Sequence, residues 1–158
     1  QYTAGTGSPI TVCVGDSVNV APLLTGAMFE YTGYFDYLTN PAVMINDTVA
    51  ATANFTVGNS DVLFIVDNTC MSDTATVTID AVGAPNSGVA MDPFDGCNTG
   101  DVYLMGGLTG TVDAGGVWSD DDATGLLVGN IYVAATQSTG TYNFTYTVDN
   151  GICPTEST

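Results

Sequence analysis

The sequence predicts an all-β chain organised as two tandem β-sandwiches, and three observations carry that prediction. Tyr142, Phe144, Tyr146 and Val148 alternate with Thr141, Asn143, Thr145 and Thr147, the pattern of a half-buried strand. Short runs rich in Val, Thr, Tyr and Phe are separated by Gly, Asn, Asp and Pro, and no segment carries apolar residues at helical spacing. One strand, turn and cysteine are written twice: DVLFIVDNTC at 61–70 and GTYNFTYTVDNGIC at 140–153.

The remaining elements follow the same duplication, with a first copy at 1–83 and a second at 84–158. After the first cysteine of each copy, GDSVNV (15–20) corresponds to GDVYL (100–104). LTG follows at 24–26 and again at 108–110. GYFDY (33–37) matches GGVWSD (115–120), which makes Phe35 the counterpart of Trp118. NFTV (54–57) matches NIYV (130–133). In the first copy DTATVTIDAV (73–82) forms a last alternating strand. About seven short strands per copy, with turns every 8–12 residues, are the signature of an immunoglobulin-like sandwich. Phe35 and Trp118 are then expected to fill the core between sheets. The linker is placed at GAPNSG, 83–88, where Pro85 and two glycines break the pattern.

The second copy stops at CPTEST, so its last strand is expected to be missing, or supplied by another segment or subunit. An open sheet edge would result. QYTAG at 1–5 is read as the tail of a preceding strand or as a donor for a neighbour. The chain opens on Gln1, which suggests a processed product or a piece of something longer.

Four cysteines stand at 13, 70, 97 and 153, with spacings of 57, 27 and 56. Two near-equal long gaps around a short one suggest Cys13–Cys70 and Cys97–Cys153, one disulfide in each sandwich; counting alone leaves three pairings open. A bridge closing such a loop is worth roughly 4 kcal/mol in the chain-entropy model. Zinc is disfavoured because neither His nor a CxxC spacing occurs. Disulfides place the chain in an oxidising, extracellular setting.

Charge excludes several functions. Seventeen acidic residues stand against no Lys, Arg or His, for a net charge of −17. Nucleic acid and anionic membrane surfaces both require cations, so neither is expected as a partner. No side-chain ion pair can form. Carboxylates must be solvated, capped by N–H groups or neutralised by metal ions. No 18-residue apolar run is present, so no membrane insertion is expected. Trypsin-like proteases find no cleavage site, which suits exposure outside a cell.

The run GCNTGDVYLMGGLTGTVDAGGVWSDDDATG, followed after a gap by GTYNFTYTVDNGICPTEST, resembles the tandem Ig-like repeats of large secreted surface proteins of the Bacteroidetes. These are the giant adhesins that often carry gliding-motility-associated C-terminal domains. Their pattern is a cysteine, an L.G turn, GG.WS, and GTY.FTYTV before a second cysteine. The second copy matches over nearly its whole length. The first matches less well, with Phe35 in the tryptophan position. The resemblance implies a stalk or fibre of rigid beads at the cell surface, with neighbouring repeats or identical subunits as partners.

Candidate sites are few. Asp120, Asp121 and Asp122 gather in one turn, and Asp113 or Asp149 could join them; such oxygens suit calcium, although the D-x-D-x-D-G loop spacing is not met. A solvated acidic turn is the alternative. Ser17, Thr48 and Thr74 fit an Asp-Ser/Thr-apolar pattern for O-glycosylation. Asn46, Asn54 and Asn143 fit the N-linked sequon, but Asn54 and Asn143 fall in expected strands. Trp118 and the Tyr142/Phe144/Tyr146 face could stack on glycans, though their spacing reads as core. Catalysis has no His, no Lys and only two glutamates, Glu30 and Glu156, to draw on. The chain is therefore expected to be a non-catalytic structural or adhesive repeat segment of an extracellular surface protein or fibre. The alternatives are a self-polymerising filament subunit completed by strand donation, and a calcium- or glycan-binding module.

Overall fold

The computed structural model describes residues 3–27, 33–37, 43–46, 49–52, 55–68 and 71–158. Among them the regular structure is β-strand and short 3-10 turns, with no α-helix. The chain divides into two compact units, residues 1–83 and 84–158.

In the first unit, β1 (Thr6–Gly7), β2 (Ile10–Cys13), β3 (Ser17–Asn19) and β4 (Leu24–Thr25) come first. They are followed by β5 (Gly33–Tyr37), β6 (Val43–Asn46), β7 (Val49–Ala51), β8 (Gly58–Asn68) and β9 (Met71–Val82). One sheet has the order β2-β9-β8-β5, a second β3-β7-β6, and β1 pairs with β4. The β8–β9 hairpin dominates. Its period-2 pattern sends Val62, Phe64 and Val66, with Ala75, Val77, Ile79 and Ala81, to one buried face. Thr78 and Asp61, opposite each other on the other face, bond through Thr78 Oγ1 donating to Asp61 Oδ1 at 2.7 Å. Val18, Val20, Leu24 and Phe55 close the core, so residues of both sheets meet in one cluster. A fully buried Val, Ile or Phe is worth about 1.5–3 kcal/mol, and this cluster is where the unit holds together. The outer strand β2 runs parallel to the end of β9, with Ile10 beside Ile79 and Cys13 beside Val82. Ala4 belongs to the same core, so residues expected as a neighbour's donor strand are used within their own unit.

The second unit contains β10 (Val89–Ala90), β11 (Asp101–Tyr103), β12 (Leu108–Thr109), β13 (Val117–Asp120), β14 (Leu127–Val128), β15 (Ile131–Val133), β16 (Phe144–Val148) and β17 (Glu156–Ser157). They form β11-β15-β14, β13-β16-β17 and the pair β10-β12. Register shows the repetition. Gly7 opposes Leu24 as Ala90 opposes Leu108, and Phe35 opposes Phe64 as Trp118 opposes Tyr146. Gly5 and Gly88 hold matching left-handed φ values of 81° and 79° against the LTG strand. A Cβ would meet the carbonyl of Thr25 at 2.4 Å in one and of Thr109 at 2.9 Å in the other.

Four expectations are corrected. The counterpart of Ile131–Val133 is Val49–Ala51 rather than NFTV, because β7 pairs with β3 as β15 pairs with β11. The start of the last strand is present in the second unit: Glu156 pairs with Val148, and Thr158 exchanges both backbone bonds with Tyr146. The strand before the second cysteine begins at Phe144, not at Thr141. The matching residues of the first unit, Gly58 to Asp61, ladder only onto Thr78 to Ala81 of β9, and the second unit offers residues 140–143 no such strand. Finally, Cys13 and Cys153 are disulfide-bonded, but Cys97 is exposed with a free thiol. The expected Cys97–Cys153 bridge is not formed. Cys13 is carried inward at the end of β2 by β9, whereas Cys97 lies in the exposed segment 91–99, which has no strand to hold it. Cys70 lies outside the described residues.

Candidate functional site

The first recurring device is an aromatic clamp over a glycine. Phe35 and Phe64 lie with ring centroids 4.9 Å apart at 45°, and Trp118 and Tyr146 at 5.1 Å and 43°. Beside each pair a glycine lets the ring sit on the backbone. A Cβ at Gly33 would meet the Phe64 ring at 2.4 Å, and one at Gly116 would meet Tyr146 Cζ at 2.4 Å. In the second unit the Tyr146 hydroxyl accepts from the Gly116 N–H at 3.1 Å and donates to the Asp113 carbonyl at 3.0 Å. Trp118 packs against the core as expected, with its Nε1 buried and without a hydrogen-bond partner.

The three aspartates of the expected calcium turn face three separate sets of donors. Asp120 Oδ2 accepts from Thr124 Oγ1 at 2.8 Å and the Gly125 N–H at 2.9 Å. Burial pushes its pKa up, but the bonds from Thr124, Gly125 and Asp122 outweigh that and hold it below the usual carboxylate value. Asp121 accepts from Ser119 Oγ at 2.9 Å and Thr145 Oγ1 at 2.7 Å. Asp122 Oδ2 accepts from the Asn143 N–H at 2.6 Å and Nδ2 at 3.2 Å. Among the described residues no group of three or more His, Cys, Asp or Glu could hold a metal ion. The arrangement closes the turn after β13 and ties it to the residues leading into β16. Asp113 accepts instead from the Asn86 N–H at 2.8 Å, and Asp149 from the Gly151 N–H at 2.7 Å.

Of the expected glycosylation residues, Ser17 in β3 and Thr74 in β9 are exposed, while Thr48 lies outside the described residues. Asn54 and Glu30 also lie outside them; Asn46 ends β6. Asn143 precedes β16, its amide engaged by Asp122. Glu156 pairs at the edge in β17 and is exposed.

The feature the sequence did not disclose is a cleft of about 810 Å³ in the second unit. It runs between segment 91–99 and residues 137–145, over a floor that includes Val102, Leu104, Trp118, Tyr132 and Phe144. The floor is aromatic: Tyr132 lies 4.8 Å from Phe144 and 5.7 Å from Tyr142, centroid to centroid. Burial, then the neighbouring Tyr142, push the Tyr132 hydroxyl above its ordinary pKa. One wall carries Met91 and Phe94, which are 41% and 39% exposed. Phe94 is seated on Gly107, where a Cβ would meet its ring at 3.0 Å. A glycine pair at 106–107 opposite a lone phenylalanine was the available signal, but only the fold places them together.

Among the described residues no helix is long and apolar enough to cross a membrane. No family model matches the chain, and no curated protein is similar to it in sequence.

Proposed function

We propose that this chain is a non-catalytic structural or adhesive repeat segment of an extracellular surface protein or fibre, built as two immunoglobulin-like sandwiches in series. The observation that supports this most directly is the clamp. The same pair of opposed rings over the same glycine recurs in both units, at Gly33/Phe35/Phe64 and Gly116/Trp118/Tyr146. What is duplicated is the framework of a bead, and chains of such beads bear load or extend a tip. The composition supports it too: with no Lys, Arg or His, the chain holds no basic target for trypsin-like proteases. The disulfide-bonded Cys13 and Cys153 suit an oxidising exterior. Exposed Ser17 and Thr74 are open to glycan attachment, which intact mass on native material reads directly.

The test is mechanical. The chain, with its disulfide bonding reduced and pulled singly between handles at its two ends, should unfold in two discrete steps, one per unit. A smooth low-force extension would remove the load-bearing reading. Antibody labelling of intact, unpermeabilised source cells tests the location, and staining only after lysis would remove the surface assignment.

A further inference from the structure

We infer that Asn150 is a self-modification site. The turn after β16 closes a cyclic imide between Asn150 and Gly151, and water opens it to aspartate or isoaspartate.

Asn150–Gly151 is the only Asn-Gly pair in the sequence. Imide closure requires the nitrogen of the following residue to reach the side-chain carbonyl carbon, and a side chain on that residue obstructs the approach. Glycine removes the obstruction. Gly151 also takes a φ of 75°, in the left-handed region. A Cβ there would meet nothing within 4 Å, so that side of the residue is open. Asn150 and Gly151 are both exposed, and water reaches them.

Three hydrogen bonds arrange the reacting groups. The Gly151 N–H donates to Asp149 Oδ1 at 2.7 Å. A carboxylate this close to the proton that must leave has the geometry of a general base. Asn150 Oδ1 accepts from the Ile152 N–H at 3.1 Å and the Cys153 N–H at 2.9 Å. These bonds fold the side-chain carbonyl back over its own main chain and polarise it. The oxygen that gains negative charge on attack already faces two backbone donors, the arrangement of an oxyanion hole. The first copy has no such site. It reads VDNTC where the second reads VDNGIC. Its Asn68 pairs with Met71 at the end of β8 and precedes Thr69, whose branched side chain crowds the nitrogen.

The Gly151 nitrogen bonds to Asn150 Cγ as its proton passes to Asp149. The Cγ–Nδ2 bond then breaks, Asp149 returns the proton to the departing nitrogen, and ammonia leaves. Water adds to one of the two imide carbonyl carbons and opens the ring. Opening at Cγ restores the main chain as aspartate. Opening at the main-chain carbonyl carbon leaves the chain running through Cγ, as isoaspartate. Either product adds a negative charge to a chain that carries −17. Isoaspartate also lengthens the backbone just before the buried Cys153.

The test incubates the intact chain at neutral pH and maps chymotryptic peptides by mass, with an isoaspartate-specific methyltransferase as second readout. Asn150 should exchange –NH2 for –OH before any other asparagine, Asn68 included, and should become methylatable. Asp95–Gly96 could yield isoaspartate too, but without that mass change. Asp149→Asn keeps an acceptor for the Gly151 N–H and removes the base; it should slow the reaction by about tenfold or more. Unfolding the wild-type chain in urea dissolves all three bonds and should also slow it. That comparison needs no variant, so it decides alone if Asp149→Asn fails to fold. An Asn150 still intact after other asparagines have reacted overturns the proposal. So does a folded Asp149→Asn chain that reacts at the wild-type rate, or a wild-type chain that reacts as fast in urea.

Discussion

Trp118 stands directly across the ladder from Tyr146, ring to ring at 5.1 Å, with Gly116 beneath the tyrosine. Phe35 and Phe64 repeat that relationship over Gly33 at 4.9 Å. The glycine is as much part of the clamp as the rings. A methyl group there would displace an aromatic side chain held between backbone and partner.

Gly116→Ala should therefore destabilise the second unit by about 1–3 kcal/mol, the usual range for overpacking. Denaturant unfolding followed by Trp118 emission measures it. Gly33→Ala should lower the first unit's stability by a similar amount and leave the Trp118 transition in place. An unchanged midpoint for either variant would show that the ring moves aside freely.

Tyr146→Phe keeps the ring and removes the hydroxyl. The Gly116 N–H and the Asp113 carbonyl then lose their common partner. A loss of about 1 kcal/mol is expected, read from the same unfolding curve. The first unit manages with Phe64 at this position, so the fold should survive the change.

Thr52 is fully buried; its Oγ1 donates to the Asp16 carbonyl at 2.7 Å and accepts from the Gly15 N–H at 3.1 Å. Thr52→Val preserves shape but leaves the Gly15 N–H unpaired and the Asp16 carbonyl with the Thr52 N–H alone. It should cost about 1–3 kcal/mol, whereas Thr52→Ser should cost less. Thermal melts of the two variants side by side decide it. Equal melting temperatures would mean that water reaches the turn after Cys13.

Asp73 receives the Ala4 N–H on Oδ2 at 2.9 Å. That bond, with the Thr3 hydroxyl, lowers its pKa below 3.8 in the folded chain. A lowered folded value means the contact stabilises above the unfolded pKa and is lost as pH falls through the folded one. Exchange at the Ala4 amide, corrected for its intrinsic pH dependence, should stay slow at neutral pH and rise below 3.8. Asp73→Asn should flatten that profile. A wild-type profile already flat to lower pH would show that the N-terminal arm is held by packing alone.

The strong alternation of 73–82 and the glycine turns at LTG were legible in the sequence, because both are local: one is a period of two, the other a backbone shape that glycine permits. Gly26 and Gly110 indeed take φ of 75° and 81°. The end of β16 was legible and its beginning was not. Tyr142 has the right parity, but strand formation at 140–143 depends on a partner far away in sequence, which no local pattern encodes. The same non-locality misplaced NFTV and Cys97. The near-equal cysteine spacings suggested a pairing, but bonding depends on whether each thiol is carried inward. The Asp120–Asp122 cluster looked like a ligand set because proximity in sequence is visible. That each carboxylate turns to its own hydroxyl or amide donors is visible only in three dimensions.

The parallel pairing of Ile10 with Ile79 governs how the first unit can assemble. A hairpin such as β8–β9 zips from its turn, but β2 must wait, unpaired, for the final residues of β9 to be made. Closure of that strand is thus the step with the greatest loop entropy and should come late on the folding route. A nascent chain would hold this edge open until residues 79–82 have been made, and slow folding or aggregation, where it occurs, should begin there.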